Sequence, residues 1–300
     1  MNTLLWVCCH DSNMPWGSEV AMLDGFRRCD DWHVEYFDYR VYRQCNVDER
    51  AIEQVIIIKA QAVDAVLFQR CEGMNLNAIC DHIECPIFYF ATESEANKTQ
   101  HLSFIQLNGR VKKVFARKKT KEQAVLSGIP AEDVVEFILP FNHKHYNNLK
   151  EEKKFDLMMS GTMSGRRKGI FNKLLEEVNK FGKAGYSQCH SDTLGKHYNQ
   201  ALAVANVHAY DCLDTETRVF EVMSTSAVLI TEPLADDIDL VGKALVFESD
   251  NVEQCVEHVK YLKEHEEERL AMVEEANYIA KTRSWEVCGP LMLDIIAESL

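Results

Sequence analysis

The sequence predicts an α/β protein made of two Rossmann-like domains that face each other across a cleft. Short apolar segments alternate with amphipathic segments along the chain, which is typical of parallel α/β architecture. The alternation occurs as two series, and a polar stretch separates them. A length of 300 residues accommodates two domains of ordinary size.

The first series predicts one doubly wound sheet. Its strand candidates are residues 3–9, 33–39, 65–69, 86–91, 113–116 and 135–139. Its helix candidates are residues 19–28, 51–61 and 119–127. Each strand candidate is a short apolar run, and the intervening segments have a helical spacing of apolar residues.

The second series begins after a polar stretch that follows Pro140, FNHKHYNNLKEEKKF, which has the composition of a linker. Its strand candidates are residues 155–160, 203–207, 227–231 and 244–247, and its helix candidates are residues 167–179, 215–224, 253–264, 266–280 and 285–298. We therefore expect domains at residues 1–148 and 149–282, and a helix at 283–300 that packs back towards the N-terminal domain.

The composition excludes several classes of protein. The chain is 46% hydrophobic with 13 glycines and 6 prolines, which is unlike disordered or fibrous proteins. No apolar run approaches the roughly 18 residues of a membrane helix, and the first residues lack the features of a signal peptide, so we expect a cytoplasmic protein. The 11 cysteines form no CxxC pair, so we expect free, mostly buried thiols and no zinc site.

The charge is divided unevenly along the chain. Residues 1–150 carry 17 basic and 20 acidic groups, whereas residues 151–300 carry 16 and 27. Within the more neutral half, residues 110–121 (RVKKVFARKKTK) hold seven basic side chains. This stretch is either a solvated helix face or a surface that tracks the phosphates of a nucleic acid.

The segment FDLMMSGTMSGRRKGIFNKLLEEV, residues 155–178, has the features of an anion site. An apolar strand is followed by a turn with Gly161 and Gly165, and then by Arg166, Arg167 and Lys168 at the start of a helix. Free backbone N–H groups at a helix start attract phosphate, and glycine lets the backbone approach it closely. The alternative is an ordinary solvated helix start with surface arginines.

A second segment, residues 211–232 (DCLDTETRVFEVMSTSAVLITE), predicts a helix capped by Asp214 or Thr215. It places Arg218 in the first turn and Glu221 on the same side. A guanidinium suits a diphosphate, and a carboxylate accepts hydrogen bonds from vicinal hydroxyls such as those of a ribose. The alternative is a surface ion pair between the two side chains.

Four stretches together resemble the GT-B glycosyltransferases of the spore-maturation CgeB-like group, which are related to glycosyltransferase families 1 and 4. The run RVFEVMSTSAVLITE is similar to the group's signature, and FDLMMSGTMSGRRKGIFNKLLE is similar to its strand, glycine turn and helix. LGKHYNQALAVANVH and the closing segment LVFESDNVEQCVEHVKYLKEHEEERLAMVEEANYIAKTRSWE also agree. The resemblance covers about residues 155–290, while the first half agrees only in its general layout.

The resemblance implies a metal-independent transfer of a sugar from a nucleotide-diphosphate donor, which we expect to be UDP-linked, to an acceptor hydroxyl, with no further cofactor. The donor would lie on the C-terminal domain and the acceptor on the N-terminal one. The implied donor-binding residues are Gly161, Thr162, Arg166, Arg167, His208, Thr217, Arg218 and Glu221. No DxD triplet occurs in a suitable loop; the nearest acidic run, Asp236 and Asp237 with Asp239, is interpreted as an exposed turn.

The sequence departs from the family pattern at two positions. The E-x7-E motif would place an acidic residue at 213, where Leu213 stands, with Asp214 and Glu216 as possible substitutes. Ser226 replaces the small glycine that usually follows the signature helix. Both departures concern how the donor sugar is held more than how the nucleotide diphosphate is held.

Three residues are candidates for the catalytic base on the acceptor side. His10 and Asp11 follow the first strand, and Glu93 follows the strand at 86–91. Each of them has the alternative role of capping a turn. If the enzyme retains the anomeric configuration, the leaving phosphate takes the proton and no protein base is required.

Two other functions stay open at this point. The basic stretch 110–121 would suit a hydroxymethylated base in DNA as the acceptor, although a net charge of −14 opposes this. The same architecture would also serve a nucleotide-sugar 2-epimerase or a noncatalytic nucleotide-sugar-binding module. Release of nucleotide from a nucleotide sugar would distinguish transfer from both.

Overall fold

The computed structural model describes residues 1–10, 14, 17–94, 97–163, 165–188, 192–209 and 213–300. The chain forms two compact units: unit 1 consists of residues 1–139 with 285–300, and unit 2 of residues 140–284. The polar linker stretch that follows Pro140 lies in unit 2. Among the described residues, no helix is long and apolar enough to cross a membrane.

The described residues of unit 1 form a six-stranded parallel sheet with the strand order β2-β1-β3-β4-β5-β6. The strands are β1 (Asn2–Cys8), β2 (Trp32–Asp38), β3 (Ala65–Gln69), β4 (Ile87–Phe90), β5 (Val111–Ala116) and β6 (Val134–Glu136). The helices are α1 (Ser18–Phe26), α2 (Tyr39–Gln44), α3 (Glu49–Ala60), α4 (Leu76–Cys80), α5 (Lys98–Leu107) and α6 (Lys118–Leu126).

Both faces of this sheet are covered, because its inner strands are apolar on both sides. On β1, Leu5 and Val7 belong to one hydrophobic cluster, whereas Leu4 and Trp6 belong to the cluster on the opposite face. All four side chains are fully buried. The near-continuous apolar runs that predicted these strands are therefore explained by a sheet with helices on both faces.

The described residues of unit 2 form a five-stranded parallel sheet with the strand order β11-β10-β9-β7-β8. The strands are β7 (Phe155–Ser160), β8 (Ala184–Ser187), β9 (Ala201–Asn206), β10 (Val228–Thr231) and β11 (Ala244–Val246). The helices are α7 (Gly165–Val178), α8 (Asp192–Asn199), α9 (Thr217–Met223), α10 (Val252–Glu264) and α11 (Glu266–Lys281). The expected α/β architecture with parallel sheets is confirmed.

The last helix, α12 (Trp285–Ala297), packs within unit 1. Trp285 is 1% exposed, contacts the rings of Phe26, Phe90 and Phe137, and donates from Nε1 to Ser18 Oγ at 2.7 Å. The aromatic residue that ends the family-like segment is therefore part of the core of unit 1.

Several elements were absent from the sequence prediction. Helices α2, α4 and α5 and strand β8 are short or weakly apolar, and tertiary packing stabilises such segments more than local preference does. The helix expected at 215–224 begins at Thr217, because Thr215 donates its backbone N–H to Asp236 Oδ2 at 2.7 Å. The cysteines within the described residues are free, and most are buried, as expected.

Candidate functional site

The candidate site lies in unit 2 where the strand order reverses. The chain passes from β7 through α7 to β8 on one side, and then through α8 to β9 on the other side of β7. The carboxyl ends of β7 and β9 therefore flank a topological switch point, where ligands bind in open α/β sheets. Most of the donor-binding residues proposed from the sequence lie at this edge.

Gly161 follows β7 and forms a close contact with two guanidinium groups. Its φ of +108° is strained for any other residue, and a Cβ atom there would lie 2.9 Å from both Arg167 Nη1 and Arg218 Nη2. Its carbonyl oxygen accepts a hydrogen bond from the Tyr186 hydroxyl of β8. The glycine thus lets two positive groups from α7 and α9 converge on the backbone at the end of β7.

Arg167 is 4% exposed. Its Nε donates to the Val207 carbonyl oxygen at 2.9 Å, whereas its Nη2 has no hydrogen-bond partner among the described residues. Burial, followed by the charge of Arg218, lowers the pKa of Arg167. A buried donor without a hydrogen-bond partner is costly, which makes this guanidinium a candidate for anion binding.

Arg218 lies in the first turn of α9 and is held from β9. Its Nη1 donates to Asn206 Oδ1 at 3.3 Å, and Asn206 Nδ2 donates to Thr231 Oγ1 of β10 at 3.0 Å. Glu216 Oε2 lies 3.4 Å from Arg218 Nη1, and the other oxygen lies 3.7 Å from Arg167 Nη2. The two guanidinium groups therefore share the Glu216 carboxylate as an ion-pair partner.

Glu221 lies one helical turn after Arg218. Burial raises the pKa of Glu221 to about 7, although Arg218 and a hydrogen bond with the Thr217 side chain act in the opposite direction. The structure thus brings Thr217, Arg218 and Glu221 together near Gly161 and Arg167. Thr162, in the turn after Gly161, is exposed.

Arg166 has a different environment from Arg167. It forms a bidentate pair with Glu232, which is fully buried, and its Nε lies 3.0 Å from Asp250 Oδ1. Glu232 also accepts the backbone N–H of His208 at 2.7 Å. Two carboxylates compensate the charge of Arg166, so its contacts stabilise the ends of β9 and β10.

His208 is 2% exposed and lies next to this pair. Its Nε2 lies 3.1 Å from the Pro233 carbonyl oxygen, to which it donates, and its Nδ1 has no hydrogen-bond partner among the described residues. The buried Glu232 was not singled out from the sequence. Its position directly after an apolar strand is the sequence feature that could have identified it as a candidate site residue.

The acidic run at 236–239 was expected to be an exposed turn, and this is wrong for Asp236. Asp236 is 4% exposed and accepts the Thr215 backbone N–H, which connects the loop before α9 to the loop after β10. Asp239 pairs with Lys243 at 2.7 Å. Among the described residues, no group of three or more His, Cys, Asp or Glu side chains is arranged to hold a metal ion.

The acceptor-side candidates lie in unit 1. His10 is 7% exposed, its ring centroid lies 4.5 Å from that of Tyr36, and its Nδ1 lacks a hydrogen-bond partner in the described chain. Glu93 forms an ion pair with Arg70. Asp11 lies outside the described residues.

The basic stretch 110–121 is largely compensated by neighbouring carboxylates. Four of its side chains form ion pairs: Arg110 with Asp81, Lys113 with Asp133, Lys119 with Glu122 and Lys121 with Glu136. Arg117 is 2% exposed. A phosphate-tracking surface requires exposed, uncompensated cations, so the structure does not support DNA as the acceptor.

Comparisons with known proteins agree with this architecture. Residues 166–285 match the family model described as glycosyl transferase-like. HepE from Anabaena, solved in complex with UDP-glucose, is similar with a TM-score of 0.74 and 12% identity over 100% of both chains. Sucrose-phosphate synthase from Thermosynechococcus elongatus is similar with a TM-score of 0.69 and 9% identity over 99% of both chains.

A glycosyltransferase from Rickettsia africae ESF-5 is similar with a TM-score of 0.66 and 12% identity over 99% of this chain and 98% of that one. No curated protein matches the sequence. The similar structures confirm the predicted GT-B fold, and the family match over residues 166–285 confirms the predicted enzyme class, a glycosyltransferase. Membership of the narrower CgeB-like group stays a prediction.

Proposed function

We propose that the protein transfers a sugar from a UDP-linked donor to an acceptor hydroxyl without a metal ion. The observation that carries the proposal is the convergence of Arg167 and Arg218 on Gly161 at the switch point of unit 2. The similar structures of HepE, solved with UDP-glucose and with UDP, support the choice of donor. The epimerase and binding-module alternatives have no comparable support.

The two arginines bind the diphosphate in this proposal. The diphosphate accepts hydrogen bonds from Arg167 Nη2 and from Arg218, and Gly161 lets these two guanidinium groups lie close to the backbone. As the bond between sugar and phosphate breaks, negative charge grows on the leaving diphosphate. Two fixed guanidinium groups stabilise that charge in a partly dry site, which is why we propose that no metal ion is needed.

The remaining donor contacts follow from the geometry around α9. The Glu221 carboxylate accepts the two ribose hydroxyls, and Thr217 hydrogen-bonds to Glu221 and so orients it. Arg166 holds Glu232, which in turn holds the backbone of His208. We therefore assign Arg166 a positioning role, and the direct diphosphate contacts to Arg167 and Arg218.

For the acceptor, we propose His10 as the base that removes the hydroxyl proton. Its Nδ1 is an available acceptor within the described chain, whereas the Glu93 carboxylate is paired with Arg70.

The donor assignment is tested by the UDP affinity of Arg167→Met combined with Arg218→Met. Hydrogen bonds to charged groups contribute about 1.5–3 kcal/mol each, so we expect UDP affinity to fall at least about 100-fold. Lys168→Met is the matched control, since Lys168 is an exposed cation in the same turn. Calorimetry measures the UDP affinity of both variants, and circular dichroism checks that both are folded. Equal affinity in the double variant and the control contradicts the proposal.

The chemistry is tested by UDP release from UDP-glucose in the presence of candidate acceptors and EDTA. We expect release to continue in EDTA and to fall at least about tenfold in His10→Gln, with UDP affinity unchanged in that variant. Release that starts only when a divalent ion is added refutes metal independence. Full activity in His10→Gln removes His10 as the base but leaves the donor site standing.

A further inference from the structure

A second cavity lies in unit 2 at the edge of the sheet opposite the donor site. It has a volume of about 740 Å³, and the residues that line it include Lys153, Ser226, Arg269, Leu270, Asn277 and Tyr278. Lys153 precedes β7 and Ser226 precedes β10, so the cavity adjoins the amino ends of these strands. The donor site adjoins the carboxyl ends.

Arg269, in the first turns of α11, is an unusual lining residue because it is 5% exposed. Its Nη2 donates to Glu266 Oε1 at 2.9 Å. Its Nη1 is buried and has no hydrogen-bond partner within the described residues. Buried donors are rarely left without a partner, so Nη1 calls for an acceptor that comes from outside the chain.

Lys153 adds a second cation to the same cavity. Its Nζ donates to the carbonyl oxygens of Asn199, Ala201 and Ser226 at 2.9, 2.8 and 2.6 Å, and lies 2.8 Å from Ser226 Oγ. These acceptors are neutral, and no carboxylate of the described chain forms an ion pair with Lys153. Burial, followed by the charge of Arg269, lowers the pKa of Lys153 to about 8. Among the described residues, the lining holds three carboxylates, Glu151, Glu266 and Glu274, and four cations, Lys150, Lys153, Arg269 and Lys281, so it keeps an excess of one positive charge.

Beside these charged groups, the cavity wall carries apolar and amide side chains. Leu270 and Tyr278 are 53% and 70% exposed, and Val273 is buried beneath them. Asn148 donates to Asn277 at 3.1 Å at the same wall. A ligand with an anionic group and a polar organic body of the size of a hexose fits both parts of this lining.

We propose that this cavity is a binding site for a small phosphate monoester, distinct from the donor site. The phosphate accepts the hydrogen bond that Arg269 Nη1 lacks and lies in the field of Lys153. The organic body lies against Leu270, Tyr278 and the two asparagines. The wall that carries Leu270 and Tyr278 is then covered by ligand.

The test measures binding of glucose 6-phosphate by calorimetry, with glucose as the uncharged comparison. We expect glucose 6-phosphate to bind and glucose to bind at least tenfold more weakly. Arg269→Gln should weaken glucose 6-phosphate binding at least about tenfold, since it removes a charge-assisted hydrogen bond. Lys180→Gln, which alters an exposed lysine of the same unit, should leave binding unchanged.

Two further variants keep the test decisive even where Arg269→Gln affects folding. Glu266 is 73% exposed in its ion pair with Arg269, so Glu266→Gln should fold and tighten binding about threefold by removing a competing carboxylate. Arg218→Met, which alters the donor site, should leave binding unchanged. The proposal is overturned if the wild type does not distinguish the two probes, if Glu266→Gln weakens binding, or if Arg218→Met abolishes it.

Discussion

Glu221 is a carboxyl group whose ionisation is strongly altered by the fold of unit 2. Burial raises its pKa to about 7, whereas a glutamate in an unfolded chain titrates near pH 4.3. The folded state therefore holds this proton over a range in which the unfolded state has lost it. The contribution of Glu221 to the free energy of unfolding is most favourable below the unfolded pKa, declines as the pH rises to about 7, and stays low above it.

We therefore expect the effect of Glu221→Gln on stability, measured relative to the wild type, to be more favourable at pH 8 than at pH 4.5. The difference in unfolding free energy between variant and wild type should shift in favour of the variant by about 2–3 kcal/mol between these pH values. Urea denaturation at both pH values measures this, with Glu152→Gln, an exposed glutamate, as the control. A difference that is the same at both pH values is incompatible with a raised pKa of Glu221.

The sequence does not distinguish the roles of the three neighbouring cations at 166–168. Their position after a glycine turn predicted an anion site, and all three were equivalent by that criterion. The structure separates them: Arg166 pairs with two carboxylates, Arg167 keeps an unpaired buried donor, and Lys168 is exposed. Helix rotation and contacts from distant strands decide this, and spacing in the sequence does not encode them.

At the scale of elements, the contact between α1 and α12 depends on two glycines. A Cβ atom on Gly25 would lie 2.1 Å from the Trp285 carbonyl oxygen, and one on Gly289 would lie 2.9 Å from the carbonyl carbon of Gly25. Both clashes involve backbone atoms, so side-chain rotation cannot relieve them. The two helices approach closely enough only because neither position bears a side chain.

We expect Gly25→Ala to destabilise the protein by about 3 kcal/mol or more, through displacement of α12 from its packed position. Gly169→Ala is the matched control, because Gly169 lies in the exposed middle of α7 with nothing within 4 Å of a built Cβ. Alanine should stabilise that helix by about 0.5–1 kcal/mol. Thermal unfolding of both variants measures the two effects, and similar stabilities would exclude a close helix contact.

The elements also differ in how well their sequences predicted them. β1, β3, β7 and β10 are apolar runs of four to seven residues and were predicted nearly in full. β8 has the sequence AGYS, in which a glycine and a serine weaken the strand pattern. It forms because it pairs with β7 along residues 157–160. Tyr186, which supports Gly161, was therefore missed together with its strand.

At the scale of the whole molecule, the net charge of −14 was a better guide than the local basic stretch. The seven basic residues at 110–121 are close in sequence, yet carboxylates from elsewhere in unit 1 pair with four of them. A run of like charges attracts opposite charges as the chain folds, so its sign in the sequence overstates its field in the structure. This accounts for the weak case for DNA as an acceptor.

The order of apolar and polar residues was sufficient to predict two parallel α/β sheets. The glycine and arginine turn and the Arg-x-x-Glu helix led us to propose an anion site at the end of β7. These features are local, since they depend on periodicity and on neighbours along the chain. Three features depend on residues tens of positions apart: which arginine keeps a buried donor without a hydrogen-bond partner within the described residues, where Glu232 is buried, and how Lys153 and Arg269 come to line one cavity. Only packing brings such residues together, because burial and charge pairing are properties of the folded chain.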